Sequence, residues 1–288
     1  MTLNDIMQEP VAVAVVEAAL CEDIGSGDVT TLALVNPAII ATGEILAREA
    51  CVVAGGRVAC KVLELVDPAL TATVLVPDGA KVAAGTTLIS IRGKAASILT
   101  AERTALNFMQ RMCGIATLTR QFVDAVRPFG TLILDTRKTT PNLRAFEKYA
   151  VLCGGGANHR FGLYDRVLVK DNHRQLWEQG DPDRLDLAVA AARQAFPGLM
   201  VEIEVESLAE CRSALRAAPE WIMLDNMSCE MMCECVALCR NVSRTEASGG
   251  ITIDRAHAVA ETGVDAISLG CLTHSARAVD LALDWSVD

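Results

Sequence analysis

Residues 135–174 gather the side chains best suited to gripping an anion: Arg137 and Lys138, His159 and Arg160 just beyond Gly154-Gly155-Gly156, and Lys170. From Arg137 to Arg174, eight Lys/Arg stand against three Asp/Glu, in a chain whose formal net charge is −10. A basic island in an acidic protein more often cups a small polyanion than decorates a surface. Charged walls around a cleft focus the field locally, whatever the total. Arginine offers a planar fork for carboxylate or phosphate, and lysine a point charge. The island's other cations Arg144, Lys148 and Arg166 read as surface charges. Three consecutive glycines permit either a mobile loop or one packed tightly against a neighbour.

Acids and glycines supply the complementary groups. Glu202, Glu204 and Glu206 alternate, so on a strand they share one face, and Asp225 follows in a Leu-Asp-Asn step. An acid pair opposite a cationic wall suits Mg²⁺, sugar hydroxyls or a developing positive charge. A structural salt bridge to Lys170 fits the spacing nearly as well. Ser248-Gly249-Gly250 precedes a helix expected from Thr252, and Gly270 precedes one expected from Thr273–Ser275. Helix N-termini present free N–H groups and glycine lets the backbone approach a ligand, so both places suit a phosphate.

These residues need a scaffold, and the pattern from residue 131 provides one. Short apolar runs at Thr131–Leu134, Arg166–Val169, Met200–Val205, Trp221–Leu224, Val242–Glu246 and Ala266–Leu269 read as strands, with helical stretches between them. Each run is followed by one of the polar or glycine residues above. That is the βα repeat of a parallel sheet, with its chemistry after the strand ends as in (β/α) barrels. Six or seven strands indicate an incomplete barrel. A doubly wound open sheet is the rival topology, although no G-x-G-x-x-G opens the first unit. The first ~115 residues read as a separate α/β unit. It has an amphipathic helix near Val11–Glu22, a turn at Gly25–Asp28, strands at Gly43–Glu49, Thr71–Val76 and Thr87–Arg92, and a helix at Arg57–Val66. Val76–Gly85 resembles the hairpin turn of biotinyl/lipoyl sandwiches, but Lys81 lacks the sequence context of a modified lysine. A long helix from Ser97 to Val126 follows, with a break expected at Gly114.

The 288 residues are 51% hydrophobic and only 4% aromatic. An Ala/Val/Leu-rich core of that size needs no staples. The acidic balance argues against nucleic-acid or anionic-membrane partners, and no apolar run approaches a spanning helix. Eleven cysteines, an odd number with no leader pattern, read as reduced thiols in a cytoplasmic protein. Cys229, Cys233, Cys235 and Cys239 point in too many directions around a helix to close on one ion, so they read as small buried residues.

In combination the motifs are familiar. They are Glu22-Asp23-Ile24-Gly25-Ser26-Gly27-Asp28-Val29-Thr30, Glu102-Arg103-Thr104-Ala105-Leu106-Asn107, Asp135-Thr136-Arg137-Lys138-Thr139-Thr140-Pro141 and Gly154-Gly155-Gly156-Ala157-Asn158-His159-Arg160. Further along stand Val169-Lys170-Asp171-Asn172-His173, Val201-Glu202-Ile203-Glu204-Val205, Leu224-Asp225-Asn226, Glu246-Ala247-Ser248-Gly249-Gly250-Ile251 and Leu272-Thr273-His274-Ser275. Over nearly its whole length the chain resembles the quinolinate phosphoribosyltransferases, the carboxylating nicotinate-nucleotide pyrophosphorylases.

The resemblance implies an N-terminal α/β sandwich domain (1–115, completed by the tail 275–288) and an open, incomplete α/β barrel (116–274). It implies phosphoribosyl transfer from phosphoribosyl pyrophosphate to quinolinate, with decarboxylation, for NAD biosynthesis. Arg137, Lys138, His159, Arg160 and Lys170 would bind quinolinate, joined by Arg103 from a partner subunit. Glu204 and Asp225 would face the ribose and Mg²⁺, the implied cofactor. Ser248, Gly249, Gly250 and Gly270 would hold the 5-phosphate, and Lys138, Lys170, Glu204 and Asp225 would carry the catalysis. A homodimer, or a hexamer built from dimers, is implied. The acidic stretch Glu178–Asp183 and the cysteine-rich helix have no place in the family pattern. Rival readings are a related pyrophosphorylase acting on another base, a barrel aldolase with Lys170 as Schiff base, and a silent quinolinate-binding protein.

Overall fold

The computed structural model describes residues 6–177, 180, 181 and 183–287; the stretch 178–183 thus lies partly outside the described residues. The chain divides into two compact units. The first comprises Met1–Arg120, Lys138–Gly156 and Cys271–Asp288, and the second Gln121–Arg137 and Ala157–Gly270.

In the first unit, helix Pro10–Ile24 opens with proline at its first turn and buries Ala12, Val16 and Leu20 at intervals of four. Val29–Leu34 forms a second helix directly after the Gly25–Asp28 turn. The Asp28 side chain accepts the Thr31 N–H at 3.0 Å and so caps it. Burial is not the main influence on Asp28: its hydrogen bonds, those with Thr31 first, hold its carboxyl below the usual range. An antiparallel sheet runs in the order Leu281–Val287, Ile40–Ala47, Thr87–Lys94, Thr71–Val74. The chain's last strand therefore pairs with its first long one, Ala47 opposite Leu281. Helix Gly56–Val66 turns Val58, Ala59, Val62 and Leu63 inward. A two-residue ladder, Cys51–Val52 with Lys81–Val82, holds the Val76–Gly85 turn as architecture.

The long helix runs unbroken from Ala95 to Val126, so the expected interruption at Gly114 does not occur. Gly114 serves a close approach instead: a Cβ there would fall 2.0 Å from the carbonyl oxygen of Arg277. The Gly154 run is also tightly apposed, since a Cβ at Gly154 would lie 2.5 Å from Thr119 Cβ.

The second unit is built on six parallel strands: β1 (Leu132–Leu134), β2 (Val167–Val169), β3 (Val201–Val205), β4 (Trp221–Asp225), β5 (Arg244–Ser248) and β6 (Ala266–Ser268). Their order is β1-β6-β5-β4-β3-β2. From β2 onward each new strand adds on the same side of its predecessor. That progression belongs to a barrel; a doubly wound sheet would reverse direction partway. Among the described residues β1 and β2 do not pair, so the barrel is open there. Helices Leu185–Ala195, Leu208–Leu215, Cys229–Cys239 and Ile253–Glu261 alternate with the later strands. Ser207 and Ser228 cap the middle two. All five residues of β3 are buried, as expected of a strand covered on both faces.

Two details depart from the sequence pattern. β5 starts two residues later than expected, because Arg244 aligns with Trp221 at the barrel's lower end and Ser248 with Asp225 at its upper end. The last short helix begins at Cys271, directly after Gly270. Cys235 and Cys239 are buried as expected, whereas Cys233 is exposed. No helix among the described residues is long and apolar enough to cross a membrane.

Candidate active site

Parallel strands of one barrel end together, so residues at or after their C-terminal ends share a rim. In the second unit Arg137 follows β1, Lys170 follows β2, Asp225 and Ser248 close β4 and β5, Gly249 and Gly250 come next, and Gly270 follows β6. Glu204 lies one residue before the end of β3.

Arg137 and Arg160 are near enough to interact electrostatically. Arg160 has its pKa pushed down by burial first and by the positive charge of Arg137 second. Like charges so placed repel, and an anion between them relieves both. Arg160 is further oriented by a bond from its guanidinium to the Arg166 carbonyl at 3.3 Å.

Across the rim, Lys170 Nζ pairs with Glu204, whose side chain is 9% exposed. The carboxylates of Glu204, Glu206 and Asp225 bring an oxygen each within 4.8 Å of one another. Asp225 also accepts the Asn226 side-chain N–H at 2.7 Å. Hard carboxylate oxygens at that spacing fit Mg²⁺, so Glu204 and Asp225 suit the ion. Both readings of Lys170–Glu204 hold together: the pair is a salt bridge, and it lies at the acid cluster.

Gly249 explains why a phosphate loop can form here. Its φ is +97°, and a Cβ would lie 2.2 Å from Asn226 Oδ1. Only glycine lets the β5 loop close against the β4 loop. Gly250 also has positive φ, and the helix Ile253–Glu261 starts three residues on, with Thr252 at its N-cap.

Three further expected residues remain to be placed. Lys138 is exposed and opens a segment of the first unit, where its carbonyl accepts the Thr273 hydroxyl at 2.7 Å. Arg103 is exposed on the long helix of that same unit. His159 is buried beneath Arg160, with Nε2 3.0 Å from Glu202 Oε2 and 3.5 Å from Glu246 Oε2.

Two residues expected on the surface are not there. Lys148 is fully buried in helix Arg144–Cys153, where the same turn also buries Glu147. The Arg166 side chain is 11% exposed; it bonds Glu202 Oε2 at 3.2 Å and lies over the Trp221 ring. Charge alone could not place them, because a cation is buried wherever a partner compensates it. The alternation of Glu202 with Glu204 was the available signal for an acid inside the barrel, one step below the rim.

Comparison with known proteins accords with this layout. The N-terminal domain of quinolinate phosphoribosyl transferase matches residues 28–113, and its C-terminal domain residues 115–284. A nicotinate-nucleotide pyrophosphorylase [carboxylating] from Mycobacterium leprae is 43% identical over 277 residues, covering 93% of this chain and 95% of that one. A quinolinate phosphoribosyltransferase [decarboxylating] from Nicotiana tabacum is 41% identical over 285 residues, covering 93% and 81%. The structure of the nicotinate-nucleotide pyrophosphorylase from Francisella tularensis superposes with a TM-score of 0.90 at 38% identity, covering 96% of each chain. Matches to both domains of the family, and relatives 41% and 43% identical over 93% of its length, place this chain in the quinolinate phosphoribosyltransferase family.

Proposed function

We propose that the protein transfers the phosphoribosyl group of phosphoribosyl pyrophosphate to quinolinate with loss of CO₂, giving nicotinate mononucleotide and pyrophosphate for NAD biosynthesis. The observation that carries this reading is the rim, where Arg137, Lys170 and the acid cluster stand at the strand ends of one barrel and Arg160 feels the charge of Arg137. Quinolinate is a dianion with two adjacent carboxylates, and a pair of guanidinium forks answers that shape.

The chemistry follows from position. The pyridine nitrogen attacks the ribose C1 as the bond from C1 to the pyrophosphate oxygen breaks, which requires both substrates to be held in line. Glu204 and Asp225 face the positive charge developing at that carbon and would hold a Mg²⁺ ion, whose charge favours departure of pyrophosphate. The Gly249-Gly250 loop and the helix after it take the 5-phosphate, with Ser248 and Gly270 beside them. Once ribosylated, the ring nitrogen is cationic. The C2–carboxylate bond then breaks, its electron pair stays on C2 next to that nitrogen, and a proton from solvent completes the product. Lys138 and Lys170 are assigned to the substrate anions.

We assign Arg103 to the site of a partner subunit in a homodimer or hexamer, because it is an exposed cation within a family motif. Mixing Arg103→Ala with Arg137→Ala protein, each nearly silent alone at low quinolinate, should restore about a quarter of wild-type turnover through hybrid sites. No recovery after subunit exchange would remove Arg103 from the shared site. A cytoplasmic location is proposed on the eleven free cysteines, which suit a reducing compartment.

The direct test supplies purified protein with quinolinate, phosphoribosyl pyrophosphate and Mg²⁺, with nicotinate as control. Stoichiometric CO₂ and mononucleotide from quinolinate alone are expected. A smaller test concerns the phosphate loop: Gly249→Ala should raise the KM for phosphoribosyl pyrophosphate about tenfold. The same change should cost about 1–3 kcal/mol of stability, seen as a lowered Tm. An unchanged KM would move the phosphate elsewhere.

A further inference from the structure

Beneath the rim lies a polar cluster that the reaction does not use. His159, Glu202 and Glu246 are buried inside the barrel with their ligand-capable atoms within 4.8 Å of one another. A metal is one reading of such a group, and the hydrogen bonds oppose it. The backbone N–H of Arg160 donates to His159 Nδ1 at 2.7 Å. An accepting Nδ1 carries no hydrogen, so the ring hydrogen is on Nε2, which therefore has no lone pair for a metal. Nε2 lies 3.0 Å from Glu202 Oε2 and 3.5 Å from Glu246 Oε2, facing both acids without a well-aligned hydrogen bond to either. The same oxygen receives Arg166 at 3.2 Å, so the positive charge a metal would bring is already present.

A continuous chain thus runs from Arg166 through Glu202 and His159 to the main chain of Arg160. It is anchored at one further point, where the His159 N–H donates to the buried Asp135 at 2.9 Å. His159 Nδ1 accepts the Arg160 N–H and Nε2 faces the two buried acids, so its contribution to substrate binding runs through Arg160. We propose that Glu202 and His159 are positioning residues: they fix the backbone at Arg160 so that its guanidinium stays beside Arg137, ready for the diacid. This rests on the assignment of quinolinate as the substrate.

The two buried acids differ in what surrounds them. Glu202 Oε2 accepts Arg166 at 3.2 Å and lies 3.0 Å from His159 Nε2. Neither Glu246 oxygen meets a well-aligned donor among the described residues. Burial first, and the Glu202 charge second, push the Glu246 carboxyl far up. An amide at 202 removes the carboxylate that pairs with Arg166, whereas Glu246 has no well-aligned hydrogen bond among the described residues to lose. A role in packing alone would not distinguish two isosteric replacements in one cluster.

The experiment compares steady-state kinetics of the assembled enzyme, wild type against Glu202→Gln, Glu246→Gln, His159→Ala and the Glu202→Gln/His159→Ala double variant. Glu202→Gln should raise the KM for quinolinate roughly tenfold, leaving kcat and the KM for phosphoribosyl pyrophosphate within about twofold. Glu246→Gln should stay near wild type. The double variant should be no worse than His159→Ala, because one chain is cut twice. Should Glu202→Gln fail to fold, His159→Ala carries the same test through its quinolinate KM. Equal losses from the two glutamines, additive losses in the double variant, an effect confined to kcat, or stoichiometric Zn²⁺ bound at the cluster would each overturn the proposal. Failure of the wild-type protein to turn over quinolinate would sink the substrate assignment, a separate outcome read before any variant is made.

Discussion

Replacing Arg137 by alanine is expected to raise the KM for quinolinate a hundred- to a thousandfold, about the 2–5 kcal/mol of a desolvated, hydrogen-bonded charge pair that has lost one partner. Arg137 and Arg160 are close enough for the first to depress the pKa of the second, on top of the effect of burial. Holding two cations together raises the energy of the empty site, and a dianion lowers it for both at once. Removing one leaves a carboxylate facing a single fork. Arg137→Lys restores charge without the planar fork and should fall between the two. Initial rates over a range of quinolinate concentrations, at saturating phosphoribosyl pyrophosphate, read the effect directly. A KM shift below about threefold, the range of ordinary surface substitutions, would remove Arg137 from the diacid pocket.

Glu204→Gln should act on the other substrate and on kcat, lowering turnover by about 10²–10³. The side chain keeps its size and loses its charge, so the positive character developing at the ribose carbon is no longer opposed. Lys170 loses its ion-pair partner in the same step. Because Lys170 is 40% exposed, water offsets most of the stability cost, and the loss should show in kcat more than in Tm. The control is Glu206→Gln. Glu206 belongs to the same acid cluster but is exposed beyond the strand end, and its neutralisation should change kcat by less than about threefold. Equal effects at the two positions would mean that the cluster acts as a diffuse negative field. Lowering free Mg²⁺ with a chelator should depress the wild-type rate and leave the residual rate of Glu204→Gln less affected.

The order of elements was largely legible beforehand. Short apolar runs with polar or glycine residues after them marked all six barrel strands, and the residues suited to chemistry follow their ends. Boundaries were less legible. Val242 and Ser243 looked like strand because they are apolar or small, yet pairing with β4 begins at Arg244. Gly114 looked like a helix break because glycine is a poor helix former, but close approach of the Arg277 carbonyl requires a residue with no Cβ at that point.

Local pattern also could not assign depth. Arg166 and Lys148 carry the same charge as Arg137, and nothing in their neighbours along the chain says that they are buried. Whether a cation faces water or an acid depends on which distant strand passes behind it. For Arg166 that strand is β3, which supplies Glu202.

By itself, then, the sequence determined the repeat, the sign of the charge at each strand end and the glycines that permit tight loops, because those depend on residue type and short-range periodicity. The tertiary structure decided which charges meet. Packing six strands side by side brings Glu202, His159 and Glu246 together from separate parts of the chain, and the low dielectric there pushes the two acids' pKa values in opposite directions.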